Sequence, residues 1–381
     1  MYSQRDRAVA FLMLMPSIAL IGIFVYGFIL QTVNTSLLDW GTNPIANPPL
    51  SANVVKSYVG GANYSAIMTD LLEFSFRNSL VNTFFFTLFF VGGCVLVGLF
   101  LALLLDQKIV GEAFFRTVFL FPMSLSFVVT GTIWRWMLQP GGGINILPTF
   151  IPTLEPIMFK WMSSRQTWLG FEWAQVPTFL TYVGLAILAF LAVNYALSGK
   201  RSPLIYVIVA AVVLLTVWLA GWWDYVWLPL DTPEAEPSIA PKGFNAALIG
   251  VIIAAVWQMS GYTMAMFLAG IRGVPEEMRE AARVDGCSTF GVYRHVVLPQ
   301  LNPIILSAMI VLGHISLKIF DLVFAMAGPD NAQTIVPGIL VYTEGFRENA
   351  FSKASSIAMI MLSLVAVIIV PYLWTQLRDE K

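Results

Sequence analysis

The chain has 381 residues, of which 58% are hydrophobic and only 11% are charged. Because a soluble protein of average composition carries about 25% charged residues, most of this chain is expected to lie in lipid. The formal net charge of −1 excludes the strongly basic surface that binds nucleic acid. The two cysteines, Cys94 and Cys287, and the two histidines have no spacing typical of a metal site.

Long apolar stretches recur along the chain, and about 20 helical residues suffice to span the hydrocarbon of a bilayer. Backbone groups in lipid must be satisfied internally, and alternating ten-residue strands are absent from the sequence, so the pattern predicts an all-α polytopic membrane protein. The first stretch follows Arg5 and Arg7 and lacks a small-residue cleavage site, which indicates a transmembrane helix. The eight predicted spans are 8–31, 78–105, 114–138, 176–197, 203–223, 244–270, 301–326 and 354–377.

Lys and Arg are divided unequally between the two sides that these spans define. With the N-terminus inside, twelve of the 21 cationic residues fall on the inner side, where positive charge is favoured. They are Arg5, Arg7, Lys108, Arg116, Lys200, Arg201, Arg272, Arg279, Arg283, Arg294, Arg378 and Lys381. The acidic segment 224–242 suits the outer side. Eight spans then predict that both termini are cytosolic.

The longest polar segment between two strongly apolar ones is 276–303. Pro275 stands just before it, where proline suits a first helical turn. Gly286 is placed to end a first short helix, and Ser288 can cap a second one that Pro299 is expected to stop. The segment therefore predicts two short helices around a glycine corner, on the inner side between two spans.

The spacing inside this segment resembles the EAA loop of ABC importer permeases. The matching positions are Glu280, Ala281, Ala282, Gly286, Val296, Leu298 and Pro299. The family usually has isoleucine in place of Val296. The alternative, an ordinary amphipathic cytosolic loop, does not account for the flanking spans. The resemblance implies that loop 276–299 couples the permease to an ATPase through Glu280, Ala281, Ala282, Asp285, Gly286, Leu298 and Pro299.

Further motifs resemble the carbohydrate-uptake, maltose-permease-like branch of that family. They are MLMPSIAL (13–20), NYSAIMTD (63–70), RNSLVNTFFFT (77–87), GEAFFRTVFLFP (111–122), GGGINIL (141–147) and AGPD (327–330). The resemblance implies a type I ABC importer in a bacterial or archaeal plasma membrane. Its partners would be a homologous second permease, an ATPase dimer that binds ATP and Mg²⁺, and an extracellular or periplasmic sugar-binding protein. No cofactor is expected in this chain.

The resemblance also divides the chain into four segments. Residues 1–77 hold the first transmembrane helix and an outer loop, and residues 78–150 hold helices of the permease core. Residues 244–381 complete the core and include the EAA-like loop. Residues 151–243 depart from the six-span pattern, because two additional spans are inserted there, and the resemblance implies no role for them.

Polar and aromatic side chains on the sixth predicted span are candidates for contact with a sugar. Gln258 and Tyr262 are spaced to share one helical face, and Trp257 lies beside them. Amide and hydroxyl groups bind sugar hydroxyls, whereas aromatic rings cover sugar C–H faces. For Trp257, helix packing is an equal alternative. Tyr262 also matches a sugar-contacting position of the family.

The seventh predicted span carries His314, Lys318 and Asp321 at spacing i, i+4 and i+7, which places them on one helical face. Charged groups in lipid are costly and usually face a cavity or one another. Lys318 and Asp321 are therefore either part of a transport path or a structural pair. His314 lies near mid-span, and the resemblance implies a sugar contact at its position.

No catalytic constellation is visible, and a phosphate-binding G-x-x-x-x-G-K-[ST] motif is absent, so the chain is not expected to be an enzyme. A secondary transporter with His314, Lys318 and Asp321 as an ion relay is the first alternative. It does not explain the EAA-like loop. A membrane-embedded enzyme is the second alternative, but the apolar spans offer few residues that could serve in catalysis.

Overall fold

Helices make up most of the computed structural model, which describes residues 4–40, 56–69, 74–107, 109–151, 153–157, 159–171, 173–199, 201–222 and 243–379. The α-helices are α1 Gln4–Ile21, α2 Phe28–Ser36, α3 Ala62–Thr69, α4 Phe74–Leu105, α5 Glu112–Leu120, α6 Phe127–Met137, α7 Val176–Leu197, α8 Arg201–Leu219, α9 Ala246–Arg272, α10 Glu276–Val284, α11 Thr289–Val292, α12 Leu298–Gln300, α13 Asn302–Leu317, α14 Asp321–Ala327, α15 Pro337–Tyr342 and α16 Phe351–Asp379.

Shorter elements connect these helices. The described residues include π-helical segments at Gly22–Gly27, Tyr293–Val297 and Thr343–Arg347 and 3-10 segments at Phe121–Ser124, Gly143–Phe150 and Trp173–Gln175. Two antiparallel strand pairs also occur in the described residues. They are β1 Leu38–Asp39 with β2 Ser57–Tyr58, and β3 Thr167–Leu169 with β4 Phe244–Asn245.

Five helical stretches in the described residues are long and apolar enough to cross a membrane. They are Phe11–Ser36, Ser75–Leu105, Val176–Leu197, Ser202–Leu219 and Ala246–Arg272. Two bent helix pairs pass the same test together, which raises the number to seven if each pair is one span. The polytopic helical class is therefore confirmed, whereas the predicted number of eight spans is not established.

Two predicted spans are not continuous helices. In 114–138, α5 and α6 meet at an angle of 99°. Pro122 lies in the 3-10 turn between them, and the Ser126 side chain caps α6 by accepting a hydrogen bond from the Val129 N–H at 3.3 Å. In 301–326, α13 ends at Leu317 and α14 begins at Asp321. Apolar composition alone does not reveal either break.

Helices α4 and α9 form the centre of the described fold and lie against each other over much of their length. A Cβ added at Gly93 would lie 2.7 Å from a methyl group of Val256, and one at Gly98 would lie 2.0 Å from Oγ1 of Thr263. The Gly92 position faces open space. Close packing of α4 on α9 therefore requires the absence of a side chain at Gly93 and Gly98, but not at Gly92.

The first part of the 151–243 insert continues a packed strap that starts at the Gly143–Phe150 turn. Asn145 is 1% exposed and organises this strap. Its Nδ2 donates to the carbonyl oxygens of Gln139, Pro140 and Phe159 at 3.3, 3.1 and 2.8 Å. Its Oδ1 accepts a hydrogen bond from Nε1 of Trp161 at 3.0 Å. Strand β3 then pairs with β4, which fixes the strap to the start of α9.

The second part of the insert is a hairpin of α7 and α8. The two helices contact each other, with the rings of Tyr182 and Trp218 at 5.6 Å between centroids. Phe179 contacts Phe84 of α4 at 5.3 Å, which attaches the hairpin to the core. The predicted turn at residue 200 and the predicted acidic outer loop 224–242 lie outside the described residues.

Candidate functional site

The EAA-like segment forms two short helices around a glycine corner, as predicted. Helix α10 ends at Val284, and Gly286 follows with a φ of +88°, a left-handed conformation that favours glycine. The N–H of Cys287 donates to the Ala282 carbonyl oxygen at 2.9 Å, which closes the end of the helix. The Ser288 side chain then caps α11 by accepting from the Gly291 N–H at 3.2 Å.

The second helical run does not stop at Pro299. It passes through a π-helical segment, Tyr293–Val297, into α12, and a bend of 60° follows before α13. Pro299 lies inside the three-residue α12, so the run continues one residue past the proline, to Gln300. The prediction that Pro299 ends the helix is therefore wrong, and Leu301 marks the boundary.

Most of the residues predicted to couple with an ATPase lie on an exposed surface. Glu280, Ala281, Asp285, Gly286 and Pro299 are exposed, whereas Ala282 and Leu298 are half-buried. Within the described residues, Glu280 has no ion-pair or hydrogen-bond partner. Three large apolar side chains are exposed on the same segment, Met278 at 46%, Val284 at 86% and Phe290 at 73%. Such exposure of apolar groups between spans is typical of an interaction surface.

A buried polar network lies beneath this surface. The Asp106 and Arg279 side chains are 6% and 11% exposed, and Nη1 of Arg279 lies 3.3 Å from Oδ2 of Asp106. The same oxygen accepts a hydrogen bond from the Tyr293 hydroxyl at 2.5 Å. Burial and this hydrogen bond raise the pKa of Tyr293, which keeps its hydroxyl protonated as a donor. Gln107 Nε2 donates to the Tyr293 oxygen at 3.0 Å.

A second ionic cluster ties together the ends of three helices beside the loop. Arg272, the last residue of α9, donates to the Leu105 carbonyl oxygen at the end of α4 at 3.1 Å. Its guanidinium also lies 2.9 Å from Oε1 of Glu112, at the start of α5. Arg116 reaches the same carboxylate oxygen at 2.7 Å. The α4, α5 and α9 ends are thus fixed relative to one another.

Four of the predicted sugar-contact residues, Trp257 among them, lie on two helices that contact each other, α9 and α13. Gln258 is 2% exposed, and its Nε2 donates to the Leu125 carbonyl oxygen at 2.7 Å. Gln258 Oε1 is buried without a hydrogen-bond partner among the described residues, and so is Nδ1 of His314. Tyr262 is half-buried and packs against the central apolar core. Buried polar atoms are normally satisfied, so the two unpaired atoms are candidates for a polar ligand.

Trp257 lies in a different environment from Gln258. Its ring meets that of Trp134 edge-on, with 5.8 Å between centroids. Both rings line an open groove of about 790 Å³ that is almost entirely apolar, and Ser260 supplies its hydroxyl. Gln258, Tyr262 and His314 are not among its lining residues. The groove offers aromatic faces but almost no partners for sugar hydroxyls.

Lys318 and Asp321 do not share a helical face, because α13 ends at Leu317 and α14 starts at Asp321. Both side chains are exposed in the single chain. Within the described residues, neither makes an ion pair with the other. The structural pair, one of the two alternatives for these residues, is therefore not formed, and the helical face shared with His314 ends at Leu317.

Sequence analysis missed Asp106 and Tyr293, which hold Arg279 and thereby the EAA-like segment. Asp106 directly follows an apolar span, and Tyr293 is an aromatic residue with a hydroxyl inside a polar loop. Each residue thus differs in polarity or residue type from its sequence neighbours. Their partnership, however, joins residues 187 positions apart, which no local spacing reveals.

Comparison with known proteins shows that residues 94–379 match the family described as "Binding-protein-dependent transport system inner membrane component". The chain is 32% identical over 379 residues to a probable ABC transporter permease protein of Pyrococcus horikoshii, covering 99% of this chain and 98% of that one. The aligned region includes the 151–243 insert. Over 363 residues the chain is 28% identical to the xylose/arabinose import permease protein XacH of Haloferax volcanii, covering 94% of this chain and 85% of XacH.

A solved structure has the same fold at low sequence identity. It is that of a bacterial ABC transporter involved in the import of the acidic polysaccharide alginate. The TM-score is 0.61 at 15% identity, and the match covers 99% of this chain and 98% of the other.

Proposed function

This chain belongs to the family of binding-protein-dependent transport system inner membrane components, and from that premise we propose that it is the permease subunit of an ABC importer for a sugar or oligosaccharide. The sugar is delivered by an extracellular binding protein. The xylose/arabinose specificity in the name of one relative supports a carbohydrate as the cargo.

The observation that carries this proposal is the exposed corner of the EAA-like segment. Glu280 presents a carboxylate that no described residue of this chain pairs with. Gly286 and Ala281 add no bulk beside it, and Val284 and Phe290 expose apolar surface around it. A charged group on a segment that also exposes apolar side chains is suited to a charge-assisted bond with an arginine of a docked partner.

The partner at this surface would be an ATPase dimer, which binds ATP and Mg²⁺ and performs the hydrolysis. A homologous second permease would complete the membrane part. We place the complex in the plasma membrane of a bacterium or archaeon, with both termini of this chain and the 276–299 segment in the cytosol. Closure of the ATPase dimer would then move this segment and, through it, the spans.

The sugar path would pass the unpaired polar atoms of Gln258 on α9 and His314 on α13. Gln258 Oε1 can accept a hydrogen bond from a sugar hydroxyl, and His314 Nδ1 can accept or donate according to its tautomer. Tyr262 lies one helical turn from Gln258 and adds an aromatic face with a hydroxyl. Trp257, Lys318 and Asp321 have weaker support, because the first lines an apolar groove and the other two flank a helix break.

Uptake into proteoliposomes tests the function directly. The permease pair, ATPase and binding protein are reconstituted, and a panel of labelled pentoses, hexoses and short oligosaccharides is offered. We expect uptake that requires ATP, is blocked by vanadate and is insensitive to a protonophore. Uptake without ATP that collapses on adding a protonophore would instead establish the secondary transporter. The dispersed positions of Lys318 and Asp321 argue against an ion relay through them.

A further inference from the structure

A polar cavity of about 540 Å³ lies between the inner end of α4 and the EAA-like segment. Its walls include Gln107, Glu276 and Arg283, and also three residues of the buried network, Asp106, Arg279 and Tyr293. We propose that these three residues form a cytosolic latch that makes α10 and the inner end of α4 move as one body. The proposal rests on the function above, and it makes the latch, not the docking surface, the step that carries ATPase motion into the spans.

The position of Asp106 is the first reason. It immediately follows α4, a helix of 32 residues, and its N–H donates to the Ala102 carbonyl oxygen. The C-terminal end of a helix carries partial negative charge, which disfavours a carboxylate. Asp106 therefore does not stabilise α4 by itself. Arg279 from α10 supplies the compensating positive charge and the Tyr293 hydroxyl donates a hydrogen bond, so the carboxylate is held by the partner segment.

Burial is the second reason. An exposed ion pair contributes little, because solvent competes for both groups. Removing one member of a buried pair instead leaves the other uncompensated, which is strongly unfavourable. The same segment offers an internal comparison, since Arg283 lies 3.1 Å from Glu276 with side chains 53% and 58% exposed. The latch pair is 11% and 6% exposed.

The third reason is that α4 contacts both α9 and α13. Arg279 also donates to the Ile271 carbonyl oxygen near the end of α9, so the latch holds two span ends. Further along α4, Thr87 Oγ1 donates to Ser316 Oγ of α13 at 2.9 Å. Helix α4 thus touches both helices that carry the proposed sugar contacts. A displacement of α10 that is transmitted to α4 reaches α9 and α13 without an intermediate.

The test uses the complete importer and variants of the latch. Asp106→Asn keeps the shape of the side chain and removes its charge, whereas Tyr293→Phe removes one donor and keeps the ring. Arg294→Gln is the matched control, because Arg294 is exposed on the same segment and lies outside the cavity. Three quantities are measured for each variant. They are the amount of ATPase that co-purifies, the basal rate of ATP hydrolysis, and the rate stimulated by the sugar-loaded binding protein. Hydrogen exchange of the α10 amides is measured on the same samples.

We expect Asp106→Asn to keep the ATPase bound but to lower the ratio of stimulated to basal hydrolysis about tenfold, a typical size for coupling between sites. Tyr293→Phe should lower it less, and Arg294→Gln should leave it unchanged. Amide exchange in α10 should accelerate in Asp106→Asn. Asp106→Glu, which restores the charge, should recover the ratio to within about threefold of wild type.

A wild-type ratio in Asp106→Asn overturns the latch, whatever the exchange rates show. An Asp106→Glu variant as defective as Asp106→Asn also overturns it, because charge would then not be the link. Absence of any ATPase from the wild-type complex would refute the proposed function itself, and it is seen before any variant is made.

Discussion

Gly98 of α4 lies so close to Thr263 of α9 that an added Cβ would stand 2.0 Å from the threonine hydroxyl and 2.9 Å from the backbone nitrogen of Met264. The Thr263 hydroxyl in turn donates to the Cys94 carbonyl oxygen of α4 at 2.7 Å. The two central helices therefore touch backbone to backbone at this level. A side chain at residue 98 can be accommodated only if the helices move apart.

Gly98→Ala should therefore destabilise the permease, by about 1–3 kcal/mol if the helices adjust as overpacked cores do. Gly92→Ala is the matched control, because its Cβ meets nothing within 4 Å and alanine favours a helix interior over glycine. The measurement is the temperature at which half of the detergent-solubilised protein loses its monodisperse elution. Equal stability of the two variants would contradict the close contact.

The sequence was sufficient for the fold class because apolar composition determines which segments enter lipid. It also located the helix ends at Gly286 and Ser288, since left-handed glycines and serine caps act within a few residues. The 99° bend near Pro122 and the break after Leu317 were not predictable from composition. Periodicity assumes a continuous helix, so it placed Lys318 and Asp321 on a face that does not exist.

Long-range partners account for the rest of what sequence analysis missed. The Asp106 carboxylate is held by residues from α10 and from the π-helical segment after α11, both more than 170 positions away. The polarity of Gln258 indicates a sugar contact, but its amide nitrogen already donates a hydrogen bond to the Leu125 carbonyl oxygen. Only the packed structure shows that Gln258 Nε2 is engaged in the fold while Oε1 remains unpaired.

Asn145 should be essential for the stability of the strap before the hairpin. Asn145→Asp replaces the amide donor that serves three carbonyl oxygens with a carboxylate that repels them. Loss of these buried bonds should destabilise the protein by about 2–4 kcal/mol. The same thermal elution assay measures the effect. Thr153→Ala, an exposed change in the same region, is the control, and an Asn145→Asp variant as stable as this control would refute the role.

Tyr262 and His314 should line the sugar path. Tyr262→Ala and His314→Ala should each raise the sugar concentration for half-maximal uptake by about tenfold, as expected for loss of about 1.4 kcal/mol of binding. Assembly with the partner subunits should be unchanged. Ile253→Ala, on the apolar groove side of the same helix α9, is the control. Normal uptake by both Tyr262→Ala and His314→Ala at all sugar concentrations would show that the path lies elsewhere.

The insert hairpin should have its turn in the cytosol, as the eight-span topology with two cytosolic termini requires. In a background without Cys94 and Cys287, Ser198→Cys should react with a membrane-impermeant maleimide only after the cells are opened. Thr153→Cys, in the strap, should react in intact cells. Efficient labelling of residue 198 from outside would invert the hairpin and reject the predicted topology.

Glu280 and Gly286 should control coupling to the ATPase without affecting the permease fold. Glu280 has no partner among the described residues, so Glu280→Lys removes nothing from the chain itself, while it reverses the charge offered to the docked arginine. If that contact is buried, losing it costs about 2–5 kcal/mol of binding. Gly286 has a φ of +88°, so any side chain there is strained, although a Cβ would meet no atom within 4 Å.

The Gly286 series separates strain from charge. Gly286→Asn adds a side chain that tolerates the left-handed conformation better than most, whereas Gly286→Asp adds a negative charge to the docking surface as well. We expect Gly286→Asp to weaken co-purification of the ATPase and abolish hydrolysis stimulated by the sugar-loaded binding protein. Gly286→Asn should retain part of both. Wild-type stimulation in Glu280→Lys and Gly286→Asp together would mean that the ATPase does not engage the permease through the 276–299 segment.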